Sequence, residues 1–388
     1  LEKVYFYANI ETLSGDETLA QIVSVSLWIL SNYFSSSSYN RAVVAERGVV
    51  PLMQRLMSLD RPEITENVLF CLSNIVGDFL ELREELLRHD IYRLTFEALE
   101  RYPHRPKLRE VAAWLISNSL RPPAFSAEEE LVTRVVGLLR GSPTAETVRE
   151  VLWALAFYLD RRDDPLRRIG HVACLGVHPF LLDYLALREH GFSRPLLRIY
   201  GYLSFGSEAI VAQFYCERLA TELFRHFSSA NKELQHDAVW TVSNLVATSK
   251  AVHASLFTPE RLDAVLQLCG SGLAAPGNRV EALRALKNYV VLASAEQADF
   301  LQHRFGLADL LLGLLELGEY KPGAFYVVCL ECIDALLQVS EGGGAAAFPA
   351  AFYASPHQPN LHALLSAEPR GVAEAAQKLI AAHFDGSV

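Results

Sequence analysis

A short helical phrase recurs along this chain at a nearly constant interval, and this repetition constrains the fold more than any other feature. In its complete form the phrase places Trp or Phe four residues before Asn, as in Trp28/Asn32, Phe70/Asn74, Trp114/Asn118 and Trp240/Asn244. Incomplete copies begin at Trp153, Arg198 and Arg284. Successive copies are about 39 to 45 residues apart, a period typical of solenoids with two or three helices per repeat. All four tryptophans of the chain occupy the first position of the phrase.

A glycine-led phrase marks the same period at another point of each repeat. Gly48, Gly176 and Gly306 are each followed by apolar residues at helical spacing, and glycine commonly ends a helix in the left-handed conformation. No segment shows the alternating pattern of a β-strand. We therefore predict that each repeat contains a short helix, a turn, a longer helix and then the helix with the aromatic–Asn phrase. Stacked repeats bury a continuous core, and only the ends need a cap.

The repeats divide the chain into four predicted segments. Residues 1–17 are a remnant of a preceding repeat, and residues 18–340 are the repeats themselves. Residues 341–357 are rich in Gly, Ala and Pro, and we predict a loop there because glycine and proline interrupt regular structure. Residues 358–388 show helical apolar spacing and are predicted to form a C-terminal capping repeat.

Charge and hydropathy exclude two kinds of partner. The net charge is −10, whereas surfaces that bind nucleic acid cluster Lys and Arg, so we expect no nucleic-acid partner. The longest uncharged apolar stretch, residues 18–40, contains Gln, Asn and a run of four serines. Such a polar helix is a poor membrane span, so we expect a soluble chain without a membrane segment.

The sequence carries no pattern typical of catalysis or of metal binding. No P-loop, nucleophile elbow or dinucleotide-binding glycine motif occurs in a strand–helix context. Cys329 and Cys332 have CxxC spacing, but no second pair accompanies them and their setting is apolar. We therefore interpret them as buried thiols. We therefore predict that the chain is not an enzyme and that it binds neither a cofactor nor a metal ion.

The two phrases together resemble the armadillo repeats of the importin-α (karyopherin-α) family, as a divergent form of its cargo-binding domain. The residues that carry the resemblance are Ser-Asn-Ile-Val-Gly-Asp at 73–78, Ser-Asn at 117–118 before Arg-Pro-Pro at 121–123, Trp153 with Phe157 and Asp160, and residues 330–336 and 362–384. The resemblance covers roughly residues 10–385. It implies a right-handed superhelical solenoid of about nine repeats.

The same resemblance implies a function and a set of partners. The family carries cargo proteins into the nucleus and shuttles between cytoplasm and nucleus. The implied partners are basic (Lys/Arg-rich) nuclear localisation signals, importin-β, and an export receptor at the C-terminal repeats. In the family a basic segment before the repeats binds importin-β, and we expect that segment to lie outside this chain.

The residues of the phrase suit an extended basic peptide. Residues four apart share one helix face, and an Asn amide can bind both the N–H and the C=O of a peptide. A lysine stem can lie along an indole, with a cation–π attraction of about 0.5–2 kcal/mol, while nearby carboxylates bind its ammonium group. One structural alternative stays open, in which the Asn caps or bridges neighbouring repeats.

We predict two peptide sites of unequal completeness. The larger site lies in the N-terminal repeats and comprises Trp28, Asn32, Glu66, Phe70, Asn74, Asp78, Trp114 and Asn118. By resemblance, Asp78 binds the key lysine of an import signal. The smaller site comprises Glu150, Trp153, Arg198, Tyr202, Asp237, Trp240, Asn244, Glu281, Arg284 and Asn288. Because Arg284 stands where the family's eighth repeat has tryptophan, and Tyr202 where its sixth repeat has Asn, the smaller site is predicted to be degraded.

A second hypothesis assigns the chain to another class of function. A divergent armadillo scaffold could hold one fixed protein partner and have lost import. The degraded smaller site favours the scaffold, whereas the nearly complete larger site favours the import adaptor.

Overall fold

The computed structural model describes residues 17–36, 48–77, 80–123, 128–161, 163–187, 190–318, 321–344 and 346–384. These residues form helices, and no β-strand occurs among them. The chain divides into two compact units, the first ending at Ile199 and the second beginning at Tyr200. The predicted all-α fold is confirmed. The remnant predicted for residues 1–17 lies, apart from its last residue, outside the described residues.

The first unit consists of helices whose order follows the predicted repeats. Its helices are α1 Glu17–Ser36, α2 Val49–Met57, α3 Pro62–Val76, α4 Leu80–Arg88, α5 Ile91–Arg101, α6 Pro106–Ser119, α7 Glu128–Val136 with a 3-10 turn at Gly137–Leu139, α8 Ala145–Leu159, α9 Pro165–Cys174 and α10 His178–Leu187. Helix α11, His190–Leu203, runs across the division between the units. We call the helix that carries the aromatic–Asn phrase the ladder helix of its repeat. The ladder helices α1, α3, α6 and α8 pack one against the next.

The second unit continues the same order. Its helices are α12 Glu208–Phe214, α13 Glu217–Arg225 with a 3-10 turn at His226–Ser228, α14 Lys232–Thr248, α15 Lys250–Leu256, α16 Pro259–Gly270, α17 Pro276–Val291, α18 Ala295–Phe305, α19 Leu307–Leu314, α20 Gly323–Gly343, α21 Ala347–Ala354, α22 Gln358–Ala363 with a 3-10 turn at Leu364–Ser366, and α23 Arg370–Phe384. Here α14 and α17 are ladder helices, and the packed series continues from α17 to α20 and from α20 to α23. Each unit therefore buries its apolar surface by stacking repeats, as a solenoid does.

The glycine-led phrases begin helices as the sequence predicts. Gly48, Gly176 and Gly306 have φ angles of 69°, 64° and 59°. Only glycine adopts this left-handed region at little cost. Gly176 and Gly306 therefore allow the sharp change of direction between α9 and α10 and between α18 and α19, and Gly48 precedes the first residue of α2.

Hydrogen bonds from asparagine join neighbouring ladder helices. The Nδ2 of Asn74 donates to the Oγ of Ser31 at 2.6 Å, and the Nδ2 of Asn118 donates to the carbonyl of Ser73 at 2.8 Å. In the second unit, Asn288 donates to the Ser243 carbonyl at 3.0 Å. The bridging alternative of the sequence analysis is therefore present in the structure, and it gives the recurrent Ser-Asn pair a structural purpose.

A buried arginine fixes the ends of two ladder helices. The side chain of Arg83 is fully buried and donates to the carbonyls of Val76 at 3.1 Å, Gly77 at 2.8 Å and Pro123 at 2.8 Å. The last carbonyls of a helix have no partner within that helix. Arg83 supplies such partners after α3 and α6, and burial lowers the pKa of its guanidinium.

The structure differs from the loop predicted for residues 341–357. Helix α20 continues to Gly343, and residues 347–354 form helix α21. Alanine is the best helix former, and the side chains of Phe348 and Phe352, four residues apart, are fully buried. An alanine-rich run with two buried anchors on one face is therefore a helix, although its composition resembles that of a linker.

Helix α20 is the one single helix of the described residues that is long and apolar enough to span a membrane. Helices α9 and α10, which are bent relative to each other, would also be long and apolar enough if they formed one segment. More than half of the residues in the most apolar part of α20 are buried inside the protein, where the helix packs between α17 and α23. These contacts are those of a core helix in a solenoid.

Trp240 lies directly on the backbone of the preceding ladder helix. A Cβ atom added to Gly201 would stand 2.2 Å from Cζ3 of Trp240 and 2.5 Å from Cε3. The absence of a side chain at Gly201 therefore permits the indole to approach α11. Gly170, in the middle of α9, has no such neighbour within 4 Å.

We predict opposite effects for the same substitution at these two helical glycines. Gly201→Ala should lower the free energy of unfolding by about 1–3 kcal/mol, because the added methyl group overpacks against a rigid ring. Gly170→Ala should raise it by up to about 1 kcal/mol, because alanine favours the helix. Thermal melting followed by circular dichroism measures both variants. A stabilised Gly201→Ala protein would contradict the close packing of Trp240.

Candidate functional site

Three aromatic side chains follow the ladder helices of the first unit. Trp28, Phe70 and Trp114 lie on α1, α3 and α6, which pack in that order. The side chain of Trp28 is 62% exposed and that of Phe70 is 37% exposed, while Trp114 is half-buried. Large aromatic residues are usually buried. This exposed row on consecutive helices is therefore a surface available to a ligand.

The ladder asparagines differ in the hydrogen bonds that they leave free. Asn74 uses its amide group twice, toward Ser31 and toward the carbonyl of Phe70 at 3.2 Å, so its oxygen remains as an acceptor. Asn32 is exposed and donates to the Trp28 carbonyl at 3.0 Å. Asn118 is only 5% exposed, and its Oδ1 has no hydrogen-bond partner among the described residues. Of these three side chains, Asn74 has an oxygen that can accept a hydrogen bond from a peptide backbone, whereas the Oδ1 of Asn118 is enclosed by the protein.

Phe70 and Trp114 are in direct contact. Their ring centroids are 5.2 Å apart, with an angle of 54° between the ring planes. The predicted space for a lysine stem between these two rings is therefore filled by the rings themselves. Beside them, a pocket of about 130 Å³ extends toward α8 and is lined by Lys107, Glu110, Val111, Glu146, Arg149 and Glu150. The accessible aromatic surface in this part of the ladder is that of Trp28 and the outer side of Phe70.

The predicted carboxylates of the larger site are only partly described. Asp78 lies outside the described residues. Glu66 is half-buried, and burial raises the pKa of its carboxyl group. The positive charge of Lys107 lowers this pKa, and the negative charge of Glu110 raises it. One oxygen of Glu66 is buried without a hydrogen bond. The Nε of Arg105 lies 4.0 Å from this oxygen, so a cation of the protein itself is already close to the Glu66 carboxylate.

Arginines of the protein itself cover the ladder at α8, the helix of Trp153. Trp153 stacks with Phe157 at a centroid distance of 5.3 Å. The guanidinium of Arg121 lies 5.4 Å from the centre of the Phe157 ring, and that of Arg194 lies 6.0 Å from Trp153. Both distances are within the range of cation–π attraction. The chain thus places its own cations where the ladder has aromatic rings.

The two arginines of the predicted smaller site are both paired with carboxylates. Arg198 contacts Asp160 at 2.8 Å, and Arg284 contacts Glu281 at 2.5 Å. Glu150 likewise lies 3.4 Å from its neighbour Arg149. Pairing neutralises the carboxylates that a basic peptide needs. Among these residues the negative charge is therefore largely compensated within the protein.

The remaining residues of the smaller site serve packing between repeats. Trp240 contacts Tyr202 in an edge-on geometry at 5.2 Å, and it rests on Gly201. Asn244 and Asn288 donate to the preceding ladder helix. Asp237 is buried. The structure brings these residues together along the ladder of the second unit, but it exposes less aromatic surface than at Trp28.

Sequence reasoning missed Arg121, Arg194 and Glu110 as residues of the ladder surface. A spacing signal was present, because Glu110 precedes Trp114 by four residues, as Glu66 precedes Phe70. Arg121 follows Asn118 by three residues, about one helical turn, and Arg194 precedes Arg198 by four. All three residues therefore lie at helical spacing from a position of the aromatic–Asn phrase, and this spacing is the signal that could have identified them.

The CxxC cysteines lie in the apolar core of the second unit. Cys329 and Cys332 are fully buried, and the Sγ of Cys329 donates to the Leu311 carbonyl at 3.4 Å. Burial raises the pKa of Cys332 to about 12, so its thiol stays protonated and is a poor metal ligand. No group of three or more His, Cys, Asp or Glu side chains within the described ranges is arranged to hold a metal ion.

Comparisons with known proteins relate the chain to importin α at low identity. No family model matches it. Importin subunit alpha-1b of Oryza sativa subsp. japonica is 26% identical over 230 residues, which are 58% of this chain and 42% of that protein. Importin subunit alpha-1a of the same organism is 24% identical over 241 residues, 60% of this chain and 44% of that protein. The chain thus spans less than half the length of these curated relatives.

A solved structure supports the fold over the whole chain. The crystal structure of an engineered protein matches 98% of this chain and 98% of its own length, with a TM-score of 0.72 and 15% sequence identity. At that identity the match concerns the fold alone. Together the comparisons indicate that the chain is an all-α armadillo-like solenoid with a distant, partial relationship to importin-α subunits.

Proposed function

We propose that this protein is a nuclear-import adaptor that binds lysine- and arginine-rich signals in an extended conformation along the ladder of its first unit. The observation that carries the proposal is the exposed aromatic row of Trp28 and Phe70, beside Asn74, whose amide group is used and whose oxygen can accept a hydrogen bond. An extended peptide needs such an acceptor for its N–H groups.

The chemistry of the first unit fits a cationic side chain better than any other. A lysine stem can lie along the Trp28 indole, where cation–π attraction contributes about 0.5–1 kcal/mol at an exposed site. Glu66, which lies 4.0 Å from Arg105, is the predicted carboxylate of this site among the described residues. By resemblance, Asp78 adds a further carboxylate to this site.

The import role rests on the relationship to importin-α subunits. Proteins with that name at 24–26% identity match about three fifths of this chain. On this basis the partners of the whole protein are basic nuclear-localisation-signal cargo and importin-β, with an export receptor at the C-terminal repeats. The protein then shuttles between cytoplasm and nucleus, and it acts by binding and not by catalysis.

A second candidate function is that of a scaffold for one fixed partner. It is favoured by the contact between Phe70 and Trp114 and by the arginines paired inside the ladder, since both reduce the room for a basic peptide. The two functions differ in one simple respect. A scaffold has no measurable affinity for short lysine-rich peptides, whereas an import adaptor does.

Trp28→Ala should weaken binding of a lysine-rich peptide about two- to fivefold, the effect of losing about 0.5–1 kcal/mol of cation–π attraction. Trp240→Ala should change the affinity less than twofold, because Trp240 is committed to packing against α11. Anisotropy of a fluorescein-labelled peptide measures both, and circular dichroism verifies folding. Phe180→Ala, which removes an exposed aromatic ring from α10, is the matched control. If Trp240→Ala lowered the affinity more than Trp28→Ala, the peptide site would lie in the second unit. If the unaltered chain did not bind the peptide, the scaffold function would be favoured.

Arg121→Ala should strengthen binding of the same peptide about two- to fivefold. The guanidinium of Arg121 lies over Phe157 and competes with a ligand cation for that ring, with a contribution of about 0.5–1 kcal/mol. Arg55→Ala, which removes a positive charge from α2, controls for the change in net charge. If both variants gain affinity equally, the effect is one of overall charge and Arg121 does not occupy a ligand position.

A further inference from the structure

A second concave surface in the first unit lies away from the ladder residues. It is an open pocket of about 470 Å³ between α5, the end of α7 and the end of α9. Its apolar floor includes Phe96, Leu99 and Leu138. Leu99 and Leu138 are only half-buried, so apolar surface is accessible in the pocket. None of the residues predicted for either peptide site lines it.

Three arginines surround this apolar floor. Arg109, Arg134 and Arg140 all line the pocket, against Glu100 as its one lining carboxylate. In a chain with a net charge of −10, such a local excess of positive charge is unusual. Charges farther away than about 10 Å are largely screened at 0.1 M salt, so a ligand in the pocket experiences mainly the local arginines.

Arg134 is held in place before any ligand binds. Its guanidinium lies 4.1 Å from the centre of the Phe96 ring, and it contacts Glu100 at 3.8 Å and Glu130 at 3.7 Å. A preorganised side chain loses little conformational freedom on binding. Arg109 donates to the Pro103 carbonyl at 3.3 Å, and Arg140 is exposed at the rim. No carboxylate of the described residues lies within ion-pair distance of these two arginines.

We propose that this pocket binds an acidic peptide segment of a partner protein, with an aliphatic or aromatic side chain inserted between α5 and α7. The apolar floor accepts the side chain, while Arg109 and Arg140, which have no ion pair with a described carboxylate, bind carboxylates that flank it. Arginine favours carboxylates because its planar donors match their geometry. The pocket therefore has the opposite charge preference from the ladder and serves a different partner.

The second unit supplies a comparison for this interpretation. A pocket of about 300 Å³ lies between α13 and α16 and has an apolar lining that includes Phe224, Phe227 and Leu268. Lys232 is its one lining cation. Apolar grooves between neighbouring repeats are thus present in both units. The arginine cluster distinguishes the pocket of the first unit and selects an acidic partner.

Anisotropy of a fluorescein-labelled peptide tests the proposal with the full chain. The probe carries a Leu-Phe pair flanked on each side by three glutamates, and a second probe replaces Leu-Phe with Ala-Ala. We expect saturable binding of the first probe. Affinity should fall at least about tenfold in the Arg109→Glu/Arg140→Glu variant, since two attractive contacts become repulsive. The Ala-Ala probe should also bind at least about tenfold more weakly, because it buries less apolar surface.

Two controls separate this pocket from other surfaces. Arg370→Glu reverses an exposed charge in the second unit and should leave the affinity unchanged. Trp28→Ala, in the ladder, should also leave it unchanged, so the outcome does not depend on the import proposal. The proposal would be overturned if the first probe did not bind saturably or if the two probes bound equally well. It would also be overturned if the pocket variant and Arg370→Glu lost affinity equally. Melting curves exclude unfolding as the cause of a loss.

Discussion

Ladder asparagines form hydrogen bonds to the ladder helix that precedes their own. Asn74, Asn118 and Asn288 each donate to a serine position of the preceding ladder helix. A net contribution of about 1 kcal/mol per bond is modest, but a buried acceptor left without a partner costs more. The bonds therefore select one register for neighbouring repeats. That register aligns the phrase positions of neighbouring repeats, so stacking and ligand presentation depend on the same residues.

Small changes at the repeated positions make the two units different. Where the first unit has Ser73 at the position before Asn, the second has Gly201, and Trp240 occupies the space that a side chain would fill. Trp28 has no such role and remains 62% exposed. Arginines at other ladder positions pair with neighbouring carboxylates. The exposed aromatic surface of the ladder is therefore concentrated in the first unit. In the second unit, the ladder residues mainly pack against neighbouring helices.

Regular features of the fold were predictable from the sequence, and features that depend on exact distances were not. The period of the aromatic–Asn phrase located the ladder helices, and the glycines located the turns, because both follow from local backbone preferences. Helix α21 was missed because composition alone does not reveal that Phe348 and Phe352 are buried on one face. Likewise, spacing placed Phe70 and Trp114 on neighbouring helices but could not show that their rings touch. The arginine pairs depend on side-chain direction, which a repeat pattern does not specify.

A crystal structure of the chain with a lysine-rich peptide would show directly whether the ladder is a peptide-binding surface. We expect an extended peptide along α1, α3 and α6, with a backbone N–H group bonded to the oxygen of Asn74. We also expect a lysine stem against Trp28. A peptide bound along the second unit, or one that leaves the Asn74 oxygen without a new hydrogen bond, would contradict the assignment of the ladder as a peptide-binding surface.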